Sequence, residues 1–139
     1  NDREIVLAAV KQTSSSFKYA SDALKKDREI ALLAVQGNGY HIKHAHESLK
    51  KDKEIVLAAL AQTGLALQYA HDSMKKDKEV ALAAVLQSGK ALQYVDETLR
   101  KDKHLVLEAI KQNSQAIIYA DPSVVFKPSV LRSVIEINR

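Results

Sequence analysis

The chain has 139 residues, the length of one domain, and 46% of them are hydrophobic, which excludes a disordered chain. It has no Cys, so a disulfide scaffold, a thiolate zinc site and a cysteine nucleophile are excluded as well. With no Trp, 5% aromatics and a net charge of only +4, the core has to be built from Ala, Val, Leu and Ile, as suits close-packed helices.

From the first residues onward one unit recurs. Asp2, Asp27, Asp52, Asp77 and Asp102 are spaced by 25 residues without an insertion. Counting from that Asp as position 0, position 5 is always Leu (Leu7, Leu32, Leu57, Leu82, Leu107) and position 7 always Ala (Ala9, Ala34, Ala59, Ala84, Ala109). Such self-similarity predicts tandem repeats. They cover residues 1–126 as five units, 1–26, 27–51, 52–76, 77–101 and 102–126, and residues 127–139 form a degenerate sixth half-repeat or capping helix.

Within a unit, the Asp is an N-cap whose carboxylate accepts from the free N–H groups of the first turn. Glu at position 2 (Glu4, Glu29, Glu54, Glu79) suits the positive end of the helix dipole. A first helix of about 11 residues, as in 3–12, ends at a polar or glycine-containing pair, and Gly is a common stop. A second, shorter helix follows, as in 65–70. It breaks at position 19, and a short helical turn leads to the next Asp; in the fifth unit that turn opens with Asp121-Pro122, a helix-start pair. The second unit departs at Gly37-Asn38-Gly39 and carries His41 and His44, which speaks against an ordinary second helix there.

At about 100° per residue, positions 3, 4, 7, 8 and 11 of the first helix share a face, with the position-5 Leu beside it. The apolar arc spans roughly 200°, so the helix has to bury two sides, one of them against the next unit. The expected fold is an all-α, right-handed α-solenoid of short helix–turn–helix repeats, on the order of 50 Å long if neighbouring helices lie about 10 Å apart. Near the end, Val124, Val125 and Phe126 replace Leu-Lys-Lys and Lys127 replaces the Asp, yet 128–138 still fits a first helix. Phe126 and Ile137 suggest that the solenoid continues beyond this chain, which opens without Met and reads as a fragment of a larger multi-domain protein.

The stretches KDKEIVLAALAQTGLALQYAHDSMKKDKEV and KDKHLVLEAIKQNSQAIIYAD carry a resemblance to domain-of-unknown-function family 4116, which covers residues 1 to about 126. The resemblance implies helical repeats of the kind found as interaction modules in large multi-domain proteins, including effectors of intracellular bacteria. It brings no catalytic residues.

Four features are candidates for function. The first is a ridge at positions 2, 6 and 9 of the first helix, where Leu33, Gln36, Ala61, Leu86 and Lys111 are expected to face outward and to meet a protein partner or a neighbouring domain of the parent chain. The second is a ladder of cations at the unit junctions, Lys25, Lys26, Lys50, Lys51, Lys75, Lys76, Arg100 and Lys101, suited to nucleic acid or an anionic membrane. The junctions hold 13 basic and 9 acidic residues, an excess equal to the whole net charge of the chain. Because each Lys pair has an Asp and usually a Glu beside it, a compensated, solvated edge is the preferred reading of the ladder. The third is a column at position 17 (Tyr19, His44, Tyr69, Tyr94, Tyr119), read as rings filling the gaps between units with their hydroxyls locally bonded. The fourth is the group His41, His44, His46 and His71; other units carry Ala or Tyr in these slots, so surface histidines are preferred over metal ligands.

No cofactor or metal is expected, and no phosphate loop, zinc-protease motif or nucleophile elbow is present. No apolar run approaches the roughly 20 residues of a membrane span, and no signal peptide is visible. The chain is therefore expected to be a monomeric, non-enzymatic interaction or scaffold module, cytoplasmic or delivered into a host cell as part of an effector.

Overall fold

The computed structural model describes residues 2–139, and all regular structure among them is helical. The α-helices are α1 (Asp2–Gln12), α2 (Arg28–Gly37), α3 (Lys53–Gln62), α4 (Asp72–Lys75), α5 (Lys78–Gln87), α6 (Lys103–Gln112), α7 (Pro122–Val125) and α8 (Pro128–Ile137). Those of ten residues or more open successive units and pack in order, α1 on α2, α2 on α3, α3 on α5, α5 on α6 and α6 on α8. A second layer runs alongside. It consists of 3-10 helices Ser14–Tyr19, Gly39–His44, Gly64–Tyr69, Gly89–Tyr94 and Ser114–Tyr119, each stacked on the next. The chain is thus an α-solenoid of two helical layers.

Capping aspartates start the long helices. Asp27, Asp52, Asp77 and Asp102 each accept from the backbone N–H three residues on, at 3.0–3.2 Å. Asp2 is itself the first residue of α1, and the residue before it lies outside those described. Asp121 caps α7, accepting from the N–H of Ser123 at 2.8 Å, with Pro122 in the first turn.

Two expectations about length and type need correcting. The inner long helices end at position 10, and position 11 is already extended, as at Asn38 (φ −158°, ψ 118°) and Thr63 (φ −150°, ψ 101°). Position 11 therefore leaves the buried face. The second helix is a 3-10 helix, with three residues per turn. That period aligns positions 12, 15 and 18, and all three are buried in the inner units: Gly39, Ile42, Ala45; Gly64, Leu67, Ala70; Gly89, Leu92, Val95. The second unit is no exception, since its 3-10 helix is complete and Asn38 caps it by accepting from the N–H of Tyr40 at 2.9 Å.

The core follows the predicted face for the remaining positions. Positions 3, 4, 7 and 8 are fully buried in the inner units, as with Ile55, Val56, Ala59 and Leu60 at 0–1% exposure. Burying such a Leu or Ile stabilises the fold by about 1.5–3 kcal/mol. The Leu at position 5 is half-buried in every unit.

Glycine has a role here other than stopping a helix. No glycine among the described residues has a positive φ. Instead, a Cβ added to Gly39, Gly64 or Gly89 would lie 2.1–2.4 Å from the carbonyl oxygen of Ala59, Ala84 or Ala109 in the next unit. The 3-10 helix begins so close to the following α-helix that no side chain fits. Between the first two units the same space is shared differently. Position 12 is Ser14, and the facing position 10 is Gly37, where a Cβ would lie 2.5 Å from the Ser14 Cβ. In the next units Gln87 and Gln112 occupy position 10 and reach back. The Gln87 Oε1 accepts from the Gly64 N–H, and its Nε2 donates to the Gln62 carbonyl at 3.3 Å; Gln112 repeats both bonds with Gly89 and Gln87.

This close approach predicts that Gly64→Ala lowers stability by about 1–3 kcal/mol in urea unfolding, the range for overpacking a tight interface. Gly37→Ala is expected to be rescued in part by Ser14→Gly, because a side chain rather than a backbone oxygen opposes it. Additive effects of those two substitutions in a double-mutant cycle would refute the shared-space reading.

Candidate binding surfaces

The ridge of the long helices is positioned as expected at position 9. Gln36, Ala61, Leu86 and Lys111 are all exposed, Leu86 to 53%. Leu33 is a correction. It is half-buried and packs against the core, because position 6 turns toward the neighbouring unit rather than outward. It lines a cleft of about 390 Å³ with Val10, Ser14, Gln36 and Gly37, where Gly37 leaves open the space that Gln fills elsewhere. Lys111 edges a second cleft, of about 430 Å³, with Leu107, Arg132 and Ile137.

The junction cations divide into two files. Lys25, Lys50, Lys75 and Arg100, at position 23, are half-buried, whereas Lys26, Lys51, Lys76 and Lys101, at position 24, are exposed. Position 23 faces the acid three residues earlier: Lys50 Nζ lies 2.9 Å from Glu47, and Lys75 Nζ 3.8 Å from Asp72. The carbonyl of position 23 also accepts a backbone bond from position 19 of the next unit, as in His46 N–H to the Lys25 oxygen at 3.0 Å and His71 N–H to the Lys50 oxygen at 3.1 Å.

The carboxylates presumed to neutralise these lysines are engaged elsewhere. The cation at position 1 reaches forward to the next unit and pairs with its Asp at position 0 and its Glu at position 2. Arg3 holds Asp27 at 2.7 Å and Glu29 at 2.6 Å; Lys53 holds Asp77 at 3.0 Å and Glu79 at 2.7 Å. Arg28 does the same with Asp52 (2.8 Å) and Glu54, and Lys78 with Asp102 at 2.9 Å. The series stops at Lys103, which makes no ion pair among the described residues; Lys127 stands where the next Asp would be. Sequence reasoning missed this ladder, although a cation at position 1 of all five units, flanked by acids in the first four, was its signal. The consequence is that Lys26, Lys51, Lys76 and Lys101 have no carboxylate within ion-pair distance among the described residues.

The guanidinium of Arg3 holds the Asp27 carboxyl below the ordinary carboxylate range, against the opposing effect of burial, and Arg28 does the same for Asp52. For Asp102 the Leu105 N–H is the leading cause and Lys78 adds to it.

The tyrosine column is less regular than its spacing. Tyr19 is 80% exposed, whereas Tyr69, Tyr94 and Tyr119 are half-buried against the core. Tyr69 meets Tyr40 edge-on with centroids 6.3 Å apart. Local bonding of the hydroxyls is not what holds these rings: packing is, and no tyrosine hydroxyl bond occurs among the described residues. His41 and His44 lie with ring centroids 6.3 Å apart. His46 and His71 are occupied as caps, each ring Nδ1 lying 3.1 Å from the N–H two residues on and 2.9 Å from a serine hydroxyl. No group of three or more His, Asp or Glu among the described residues is placed to hold a metal ion.

The family model described as a domain of unknown function (DUF4116) matches residues 2–50, 27–75 and 77–124 of the chain. No curated protein and no solved structure matches it.

Because the capping aspartates titrate below their ordinary range in the folded chain, the stability they contribute is complete above about pH 4 and is lost as pH falls through their lowered values. Urea midpoints are expected to be flat from neutral pH to about pH 5 and to drop below about pH 4. Asp52→Asn should lower the midpoint at neutral pH and shrink the acid-dependent drop; an unchanged drop would show that other carboxyls carry it.

Proposed function

The chain belongs to the family of the domain of unknown function DUF4116, and we propose that it serves as a non-enzymatic protein-interaction or scaffold module. The observation that carries this reading is the contrast between frame and file. Positions 3, 4, 7 and 8 repeat one packing solution, while the exposed file at position 9 changes chemistry from unit to unit: Gln36, Ala61, Leu86, Lys111. A stack that holds varied side chains at a fixed spacing is suited to reading an extended surface on a partner. Leu86, 53% exposed beside Ala61, supplies the apolar anchor, and the cleft holding Leu33 lies at the other end of the file.

A photocrosslinker placed at Leu86 is expected to yield partner adducts, and one at Ser73, on the junction edge, is expected to yield none. Leu86→Glu should weaken binding by about tenfold or more, as for an interface anchor, with an unchanged urea midpoint. Equal crosslinking at both sites would sink the assignment of this face.

The exposed lysines of position 24, which make no ion pair among the described residues, favour a second reading, an electrostatic contact with nucleic acid or an anionic surface. Four lysines of one file would give a log–log salt slope of about −3 to −4 on duplex DNA. The quadruple change of Lys26, Lys51, Lys76 and Lys101 to Gln should abolish that slope; a slope that survives it would exclude this file.

A further inference from the structure

A cleft opens at two of the interfaces where the 3-10 helix of one unit passes the junction turn of the unit before it, and its chemistry depends on which residues that 3-10 helix supplies. Between the fourth and fifth units the cleft measures about 290 Å³ and is lined by Arg100, Ile118, Tyr119, Asp121 and Pro122. Between the first and second units it measures about 520 Å³ and is lined by the cations Lys25, Lys26 and Lys43, by His44 and His46, and by the carboxylates Asp22 and Glu47. Position 17 is His44 here and Tyr in each other unit, so a large ring is replaced by a smaller one. Position 16 is Lys43 here, Lys18 in the preceding unit, Gln68 and Gln93 in the middle units and Ile118 at the end. Position 14, Ser16, Ala66, Ala91 or Ala116 elsewhere, is His41. None of these changes is needed for packing, since the other units pack without them.

We propose that the cleft between the first and second units is a binding site for the dianion of a phosphate monoester, held by Lys25, Lys43 and His44.

Several observations converge. Glu47 is committed to Lys50 at 2.9 Å, whereas Lys25 makes no ion pair among the described residues, so the cleft keeps an excess of positive charge. Lys43, Lys25 and Lys18 all lie close enough to His44 to act on its charge. Burial and then these cations, with His41, depress the proton affinity of His44; burial, Lys43 and Lys18 do the same for His41. The other charged groups facing the cleft are Asp22, Lys26, His46 and Glu47. A bound dianion reverses the sign of the local field, so it draws a proton onto His44 and gains a charge-assisted donor. A phosphate monoester fits because it is the common biological anion that carries up to two charges near neutral pH on a compact group. The site is separate from the position-9 file, so it stands or falls independently of the partner face proposed above.

The test uses the whole chain and two probes, O-phosphoserine in solution and phosphatidylcholine vesicles with about a tenth phosphatidylinositol 4-phosphate. Calorimetry with O-phosphoserine is expected to show one site with Kd on the order of 1 mM, and NMR to show the His44 titration moving to higher pH as the probe saturates. Lys43→Gln and His44→Tyr install residues that other units already carry, so both variants should fold. Each is expected to weaken binding by about tenfold, while Lys51→Gln/Lys76→Gln, in the exposed junction file, leaves it unchanged. Vesicle binding that is lost in Lys43→Gln, with no O-phosphoserine binding, would assign the monoester to a lipid headgroup. The proposal is overturned if neither probe saturates, if Lys43→Gln and His44→Tyr bind as the parent chain does, or if the Lys51→Gln/Lys76→Gln control weakens binding as much as they do.

Discussion

The pitch of the stack is set where the backbone of one unit touches the backbone of the next. Gly39, Gly64 and Gly89 begin their 3-10 helices against the carbonyls of Ala59, Ala84 and Ala109, too close for any Cβ. That carbonyl belongs to the alanine at position 7, which is fully buried in each inner unit for the same reason: a larger side chain on the helix would hold the neighbour off. Once this distance is fixed, the rest of the interface is in reach. The glutamine at position 10 bridges to the glycine N–H and to the previous glutamine carbonyl, and the backbone of position 19 reaches the carbonyl of position 23. Where the glycine is missing, at Ser14, the opposing residue is Gly37, so the space is conserved although the residue holding it is not.

Charge is arranged by the same geometry. Sequence neighbours suggest that each lysine pair is neutralised by the Asp and Glu that follow it. In space those acids are claimed by the cation at position 1 of the preceding unit. Close ion pairs therefore run along the line of capping aspartates, and none among the described residues reaches the position-24 lysines one edge away. One set of residues holds units in register; the other is left available to solvent or to a ligand. A partly exposed pair of this kind contributes little on its own. Its effect lies in repetition, because Arg3, Arg28 and Lys53 each bridge two acids of the next unit and Lys78 holds one, which disfavours any shifted pairing.

Much of the fold was legible because packing repeats what sequence repeats. The capping aspartates, the buried positions 3, 4, 7 and 8, and the break at position 19 all follow from the 25-residue register. The 3-10 layer was not read, although Gly64, Leu67 and Ala70 show its three-residue period; six residues are too few for a period of 3 to stand apart from one of 3.6. Leu33 was misplaced because a helical wheel knows one axis only, and position 6 is covered by a neighbour that the wheel does not contain. For the candidate sites, the departures from the repeat were visible as letters, His41, Lys43 and His44 among them. That Lys43 and His44 share one cleft with Lys25 depends on the packing of one unit's 3-10 helix against the previous unit's turn.

The forward reach of the position-1 cations gives the stack a direction. Every unit from the second to the fifth is clasped by the one before it, while Lys127 stands where Lys103 would need an aspartate, and α8 leaves Ile135 61% exposed. A pull applied to the two ends loads the interfaces in series, so the least clasped yields first. The last half-unit would peel away before any inner one, and the inner units, equal in length at 25 residues, would release in steps of nearly equal length. Mechanically the stack is a spring whose weakest coil is the interface of α6 with α8.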